Sequence, residues 1–366
     1  MDNASKIAEY TADCAKKRVA VMPPSVNLSG ERMLATKEGI RFGLLAIKGL
    51  GTAVINVILR EREKNGEFKD LYDFISRTYS KELNSRAIES LILSGAFDSF
   101  PETRKQMLQG YDLIMNAVYE SKSGNLEGQI SLFGSDSDSA EVIKIPYAEE
   151  FTLEQLLEQE KETLGIYVSG HPLSEYQAVA SACNFATSKM LIEEAEEGRL
   201  KDGARVSLLA IFGAKKIHTT KSGKQMCFAE VEDALGTLEV IVFPEIYEKT
   251  RSLLQTGEKL VITGKISLKD EEEPKILAES IVTAKRFTEE LAEKTLYLQL
   301  NSNDTEKIAE IRRICKKYAG NGKVLAYLCD IKRTAPIKDA NSLEFCHKAI
   351  FELCEILGEK NVKFKN

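Results

Sequence analysis

Five strand-like runs between residues 203 and 283 constrain the fold more than any other feature of the sequence. Each run is rich in β-branched and aromatic residues, and a helical segment, PEIYEKTRSLL, lies between the third and fourth. The runs are ARVSLLAIF, QMCFAEVED, TLEVIVF, KLVITGKISL and PKILAESIVT. Five strands with a helix after the third is the order of an OB barrel. We therefore predict a five-stranded OB-type β-barrel within residues 196–286.

The connection between the first two runs is basic, and an aromatic residue follows it. OB barrels hold single strands with the loop after the first strand and with aromatic rings on which bases stack. We predict a single-stranded DNA site formed by Lys215, Lys216, Lys221, Lys224 and Phe228. A purely structural barrel, with Phe228 in its core, is the alternative.

Residues 41–65, RFGLLAIKGLGTAVINVILREREKN, have the pattern of a helix–hairpin–helix motif. Gly49 and Gly51 break an apolar stretch, and Thr52 begins a helix that Gly66 ends. We place the apolar stripe of this helix at Ala53, Val54, Val57 and Ile58. Glycines let the backbone turn tightly and approach a phosphate, and the N–H groups at the start of a helix attract anions.

This segment carries five basic and two acidic residues, a local charge of +3 in a chain whose net charge is −6. The contrast favours a contact with the DNA backbone. We predict a duplex DNA site formed by Lys48, Gly49, Leu50, Gly51, Arg60 and Arg62. An ordinary turn containing glycine is the alternative.

A weaker copy of the motif occurs at residues 84–98, NSRAIESLILSGAFD, with Gly95 as its stop. Two such hairpins commonly pack as one unit, so residues 41–118 are predicted to be a tandem helix–hairpin–helix region. Residues 119–146 are rich in Ser, Gly and acidic residues, which is typical of a flexible linker.

The predicted linker contains the apolar motif QISLF, formed by Gln129, Ile130, Ser131, Leu132 and Phe133. Large apolar residues in a polar tract favour a short linear motif that binds a partner protein. Leu132 and Phe133 would fill a pocket of that partner, and Gln129 would form hydrogen bonds at the rim of the pocket.

Two further regions complete the predicted organisation. Residues 147–195 are predicted to be a helical connector. Within it, a helix begins at a capping box of Thr152 and Gln155 and ends near Gly170, and the polar residues of this helix are expected to be solvated. Residues 287–366 alternate strand and helix patterns, which predicts a small α/β domain that docks a protein. The predicted fold class is thus multidomain α+β: a helical module, a barrel and an α/β tail.

Several classes of protein are disfavoured. The N-terminus has no export signal and no run is long enough to span a membrane, so we expect a cytoplasmic protein without a membrane partner. The seven cysteines are scattered, which argues against a disulfide framework or a zinc ribbon. Common nucleotide-binding, hydrolase and zinc motifs are absent, and the Asp136/Asp138 pair lies in the polar linker. No catalytic or metal-binding residue is predicted.

Five segments resemble the C-terminal half of the alpha subunit of bacterial DNA polymerase III, a C-family replicative polymerase. They are PPSVNLS (23–29), IRFGLLAIKGLG (40–51), GAFDS (95–99), LGIYVSGHPL (164–173) and LEVIVFPEIYEK (238–249). The order of the predicted parts is also that of this family.

The resemblance implies a role for each part. Residues 1–40 would end the fingers region, the hairpins would hold duplex DNA, and the barrel would meet the single-stranded template. Gln129–Phe133 would bind the sliding clamp (beta), and residues 287–366 would dock the clamp-loader tau subunit.

The sequence departs from this family because the palm with its paired aspartates is absent. No cofactor is therefore expected in this chain, since Mg²⁺ would belong to the palm, and the chain alone is expected to be inactive as a DNA-directed DNA polymerase (a nucleotidyltransferase). A fragment and a truncated gene both fit. A free-standing DNA-repair or recombination accessory protein is the alternative. A tRNA-binding protein was also considered, because OB barrels also read anticodons, but the linker motif argues against it.

Overall fold

A computed structural model of the chain describes residues 14, 19–124, 145–269 and 273–365. The chain divides into two compact units, with the boundary between His171 and Pro172. Among the described helices, none has the length and apolar character needed to cross a membrane.

The first unit contains a small sheet followed by helices. Its strands pair in the order β1-β3-β2: β1 (Ala20–Met22), β2 (Leu34–Ala35) and β3 (Gly39–Arg41). A 3₁₀ turn, Leu44–Ala46, precedes the helices. These are α1 (Thr52–Asn65), α2 (Leu71–Thr78), α3 (Ser85–Leu93), α4 (Arg104–Gly124) and α5 (Leu153–Leu164).

One hydrophobic core joins all parts of this unit. It extends from Val26, beside the sheet, through Ile47 and Leu91 to Leu164 at the end of α5. Within it, Phe74 meets the rings of Phe68 and Phe97 edge-on at centroid distances of 5.0 and 4.7 Å. The small sheet, the hairpins and α5 are therefore packed as a single body.

The structure corrects three predicted boundaries. The boundary after residue 40 divides β3, and the predicted linker from residue 119 overlaps α4, which continues to Gly124. The predicted connector, 147–195, is divided between the two units, because α5 packs in the first core while Ala178 and Val179 pack in the second.

The predicted helix ends are mostly confirmed. Helix α1 spans Thr52–Asn65 and is followed by Gly66, and Thr152 forms the predicted capping box with Gln155. Helix α5 ends earlier than predicted, because Gly165 adopts a left-handed conformation (φ +80°). In the predicted stripe of α1, Val54 and Ile58 are buried and Val57 is half-buried. Ala53 is exposed, however, and Ile55, which was not predicted, is buried.

The second unit begins with α6 (Ser174–Ala182) and α7 (Ser188–Glu196) and continues into the predicted barrel. Its strands are β4 (Arg205–Thr219), β5 (Gln225–Glu232), β6 (Thr237–Val242), β7 (Lys259–Ser267) and β8 (Lys275–Thr283). They close in the order β4-β5-β6-β8-β7, with α8 (Pro244–Thr250) between β6 and β7 in sequence. The five-stranded OB-type barrel is confirmed.

The C-terminal part is the predicted small α/β domain. Helix α9 (Ala284–Leu291) leads into a sheet of order β11-β10-β9-β13, and β12 pairs with β10. The strands are β9 (Thr295–Leu300), β10 (Gly322–Leu328), β11 (Arg333–Ala335), β12 (Ser342–Leu343) and β13 (Val362–Lys365). Helix α10 (Thr305–Lys317) connects the parallel strands β9 and β10, and α11 (His347–Leu357) precedes β13.

Candidate nucleic-acid interface

The first hairpin turn is held tightly on its inner side. Gly49 has φ +85°, and a Cβ at this position would lie 2.9 Å from Oγ of Ser90 on α3. The backbone N–H of Lys48 donates a hydrogen bond to the carbonyl of Thr163 on α5, at 2.8 Å. Buried Leu50 anchors the turn in the core. Only glycine fits at position 49, for reasons internal to the chain.

Gly51 differs, because the protein itself does not require a glycine there. Its backbone is extended (φ −80°), it precedes α1 as the N-cap, and no side chain caps the first turn of that helix. A Cβ on Gly51 would meet no atom within 4 Å. The N–H groups at the start of α1 are therefore open to a ligand that comes close to the backbone.

The predicted basic residues around this turn are not equivalent. Lys48 and Arg60 are exposed. Arg62 points inward, and its Nη1 donates hydrogen bonds to the carbonyls of Val26 and Ser29, at 2.8 and 2.9 Å. Burial lowers the pKa of its guanidinium. In the structure, Arg62 thus fastens the segment before the hairpin.

Arg86 is a further candidate that was not predicted from the sequence. This exposed residue lies in the first turn of α3, and its Nε is 3.7 Å from the position that a Gly49 Cβ would occupy. The two hairpins therefore place Lys48 and Arg86 beside one glycine turn. The signal was present in the predicted packing of the second hairpin against the first.

The second hairpin turn contains Gly95, with φ +76°, and lies against the side chain of Arg104. Arg104 is 3% exposed and donates to both carboxylate oxygens of Asp98, at 2.8 and 2.6 Å, and to the carbonyl of Leu93 at 3.3 Å. Its Nη2 also lies 3.4 Å from Oε1 of Glu160. Burial works to lower the pKa of Arg104, but the two carboxylates outweigh it and raise that pKa.

Glu160 corrects the prediction that the polar stretch of α5 is solvated. It has no exposed surface. Its Oε2 accepts from the backbone N–H groups of Val168 and Ser169, each at 2.9 Å, and Oε1 accepts from the Ser169 hydroxyl. Arg104 and Glu160 thus join the second hairpin turn to the loop after α5.

The barrel arranges part of its predicted site on one outer face. Strand β4 continues to Thr219, so Lys215 and Lys216 lie in a strand rather than in the predicted loop. Lys216 pairs with Phe228 across β4 and β5. The half-buried ring of Phe228 meets His218 edge-on at 6.4 Å. This cluster of Lys216, His218 and Phe228 is named here the barrel face.

The remaining lysines of the barrel differ in their surroundings. Lys221 and Lys224 are exposed in the turn between β4 and β5. Nζ of Lys215 donates a hydrogen bond to the carbonyl of Leu254, at 2.7 Å. Phe228 is half-buried and is not among the buried residues of the barrel core.

The clamp motif and possible metal sites complete the account of the predicted residues. Gln129, Ile130, Ser131, Leu132 and Phe133 lie outside the described residues, so the motif stays a prediction. Among the described residues, no group of three or more His, Cys, Asp or Glu side chains could hold a metal ion.

Comparisons with known proteins agree with both modules. A model described as a helix-hairpin-helix motif matches residues 18–107, and one described as an OB-fold nucleic acid binding domain matches residues 214–284. The DNA polymerase III subunit alpha of Bacillus subtilis is 30% identical over 365 residues, which cover 99% of this chain and 32% of that protein. The chain is homologous to the alpha subunit of bacterial DNA polymerase III.

A second DNA polymerase III subunit alpha matches this chain to a similar extent. The alpha subunit of Borreliella burgdorferi is 30% identical over 353 residues, 94% of this chain and 30% of that protein. The chain therefore spans about a third of the length of these alpha subunits and corresponds to their C-terminal portion. Among solved structures, the SSB domain of a Synechococcus protein aligns with 22% of the chain at 12% identity and a TM-score of 0.20.

Proposed function

We propose that this chain is the DNA-holding part of a replicative DNA polymerase alpha subunit, acting in the cytoplasm. The observation that carries the proposal is the open backbone at Gly51, at the start of a helix. It belongs to the same glycine turn as Gly49, which exposed Lys48 and Arg86 adjoin. Backbone N–H groups and cations in this arrangement suit a DNA phosphate. Homology to alpha subunits over nearly the whole chain supports the same role.

In this proposal the hairpin turns contact duplex DNA through its backbone. The net charge of −6 repels nucleic acid on average, so binding depends on the local cluster of cations. Such binding weakens steeply as the salt concentration rises, because each neutralised phosphate releases counterions. Arg62 and Arg104 support the turns from within and do not contact DNA.

The barrel face holds single-stranded template in the same proposal. Phe228 and His218 offer flat rings for stacking, and Lys216, Lys221 and Lys224 attract the backbone. We further propose that Gln129–Phe133 bind the sliding clamp and that residues 287–366 dock the clamp-loader tau subunit. Residues 1–40 would then be the end of a fingers region. Nucleotidyl transfer needs paired carboxylates that hold metal ions, which we assign to a part of the polymerase outside this sequence.

Substitution of Gly51 tests the carrying observation. A Cβ on Gly51 collides with nothing in the protein but would stand between the backbone and a phosphate. We expect Gly51→Ala to change the free energy of unfolding by less than about 1 kcal/mol. Its affinity for a duplex should fall about tenfold in a fluorescence anisotropy titration, an effect of the size that one lost charged hydrogen bond produces.

Two comparisons make this experiment decisive. Gly170→Ala adds a methyl group at 3.8 Å from Leu157, an ordinary contact, and should leave both stability and duplex affinity unchanged. Lys48→Ala with Arg86→Ala should reduce the salt slope by about two units, close to one per lost phosphate contact. Wild-type duplex affinity and salt slope in all of these variants would reject the hairpin as a DNA site.

A further inference from the structure

The sheet of the C-terminal domain has two chemically different faces. Along β9 and β10, alternate side chains point toward α10 and α11 and are buried with the apolar residues of those helices. The members of this buried set in the two strands are Leu296, Leu298, Leu300, Val324 and Ala326. The side chains between them point to the opposite side, because successive residues of a strand alternate. That opposite side is named here the open face.

Two tyrosines and an amide form the centre of the open face. Tyr297 pairs with Leu325, and Gln299 pairs with Tyr327, so both tyrosines project from neighbouring strands on the same side. Both rings are half-buried. A depression of about 420 Å³ is lined by Tyr297, Gln299 and Tyr327, together with Lys363 of β13 and Asn184. Aromatic rings with polar neighbours in such a depression are suited to a flat ligand.

The charge of the open face is opposite to that of the chain. Lys323 is exposed on β10, and Lys363 pairs with Tyr297 across β13 and β9. Nζ of Lys363 donates one hydrogen bond to the carbonyl of Ser181, at 2.7 Å, which leaves two further N–H donors. In the described strands the open face carries no carboxylate, although the chain has 56 acidic residues. Its strand positions are Thr295, Tyr297, Gln299, Lys323, Leu325, Tyr327, Thr334, Ser342 and Lys363.

We propose that the open face is a second site for single-stranded DNA, separate from the barrel face. In this proposal, bases stack on Tyr297 and Tyr327, and the side chain of Gln299 forms a hydrogen bond with the edge of a base. Lys323 and Lys363 neutralise phosphates. Stacking on aromatic side chains tolerates any base, and a sheet face of rings flanked by cations is a common platform for single strands. A negatively charged ligand is favoured because the described strand positions of this face include two lysines and no carboxylate.

Stacking is tested with paired substitutions in the full chain. Phe228→Ala is introduced first, so that the barrel face contributes less to binding of fluorescein-labelled oligothymidylate. In that background, Tyr297→Leu with Tyr327→Leu keeps apolar bulk but removes the rings, and we expect affinity to fall at least about tenfold. Tyr297→Phe with Tyr327→Phe retains the rings and should stay within about twofold of the parent. Tyr147→Leu, at a tyrosine that is 81% exposed in the first unit, is the matched control and should bind as the parent does.

Cross-linking provides a readout that needs no substitution. Oligothymidylate that carries 5-iodouracil is irradiated with the unsubstituted chain, and the cross-linked residues are mapped by mass spectrometry. Adducts at Tyr297 or Tyr327 support the proposal. Adducts elsewhere only, or equal affinities of the leucine and phenylalanine pairs, would overturn it. Binding of a glutamate-rich peptide that oligothymidylate does not displace, and that the leucine pair abolishes, would show a protein-docking face and would also overturn it.

Discussion

At the scale of single residues, the buried charges of the first unit stand out. A carboxylate without solvent exposure is costly unless it is paired and fully hydrogen-bonded. Glu160 meets both conditions through Arg104, two backbone N–H groups and the Ser169 hydroxyl. This pair joins the hairpin turn at Gly95 to the loop after α5.

Breaking the pair should destabilise the protein strongly. Glu160→Gln turns an amide group toward donors and leaves Arg104 with one carboxylate fewer, so we expect a loss of about 3 kcal/mol in the free energy of unfolding. Urea unfolding provides the measurement. Glu158→Gln, at an exposed position of the same helix, should cost less than about 0.5 kcal/mol. Equal effects of the two substitutions would mean that the pair contributes nothing specific.

His171 should make stability depend on pH. Burial, with a smaller contribution from the charge of Lys161, lowers its pKa from 6.5 to about 4. The unfolded chain therefore binds a proton that the folded chain does not bind between these values. The contribution is complete above pH 6.5 and is lost as the pH falls toward 4, by up to about 3 kcal/mol.

The pH dependence of His171 is measured by comparison with a variant that has no imidazole. Urea unfolding of the wild type and of His171→Gln is repeated between pH 7 and pH 4. The free energy of unfolding of the wild type minus that of His171→Gln should decrease as the pH falls. Only in the wild type does protonation of this residue favour the unfolded chain. A difference that stays constant over this range would contradict the assignment.

At the scale of elements, local patterns were sufficient to predict the barrel strands and the capping box, because both depend on residues close in sequence. The end of β4 was missed because Lys215–Thr219 are exposed and mostly polar, and their strand is fixed by hydrogen bonds to β5. The stripe of α1 was predicted only in part, because Ala53 and Ile55 both adjoin Val54 and the local spacing does not show which of them is buried. A partner element decides between them.

The two adjacent lysines of β4 should respond differently to substitution. Lys215→Ala removes the hydrogen bond to Leu254 and should cost about 1 kcal/mol of stability, with little effect on single-strand affinity. Lys216→Ala should leave stability unchanged and reduce the salt slope for oligothymidylate by about 0.7. Thermal unfolding and anisotropy titrations over a range of salt concentrations check both. The reverse pattern would remove Lys216 from the barrel face.

At the scale of the whole molecule, the order of modules was predictable and their packing was not. Arg104 and Glu160 are 56 residues apart in sequence and meet only in the folded core. Nothing near Glu160 in the sequence distinguishes it from the solvated glutamates of the same helix. The unit boundary after His171 was missed for the same reason, because α5 is assigned to the first unit by the contacts of Leu164 and not by its own composition.

The proposed clamp contact links this chain to a larger assembly through Gln129–Phe133. If Leu132 and Phe133 fill a pocket of the clamp, their joint replacement by alanine should weaken binding to the sliding clamp about 30-fold, since anchors of this kind contribute roughly 2–4 kcal/mol. Gln129→Ala should cost less, because hydrogen bonds at a wet rim contribute about 1 kcal/mol. Leu153→Ala, at a leucine that is 65% exposed, is the control and should leave clamp affinity unchanged. The melting temperature should be the same in all variants, because the sequence predicts a linker here. Unchanged affinity in the double variant would remove the motif from the proposal, and a lower melting temperature would place Leu132 and Phe133 in a core instead.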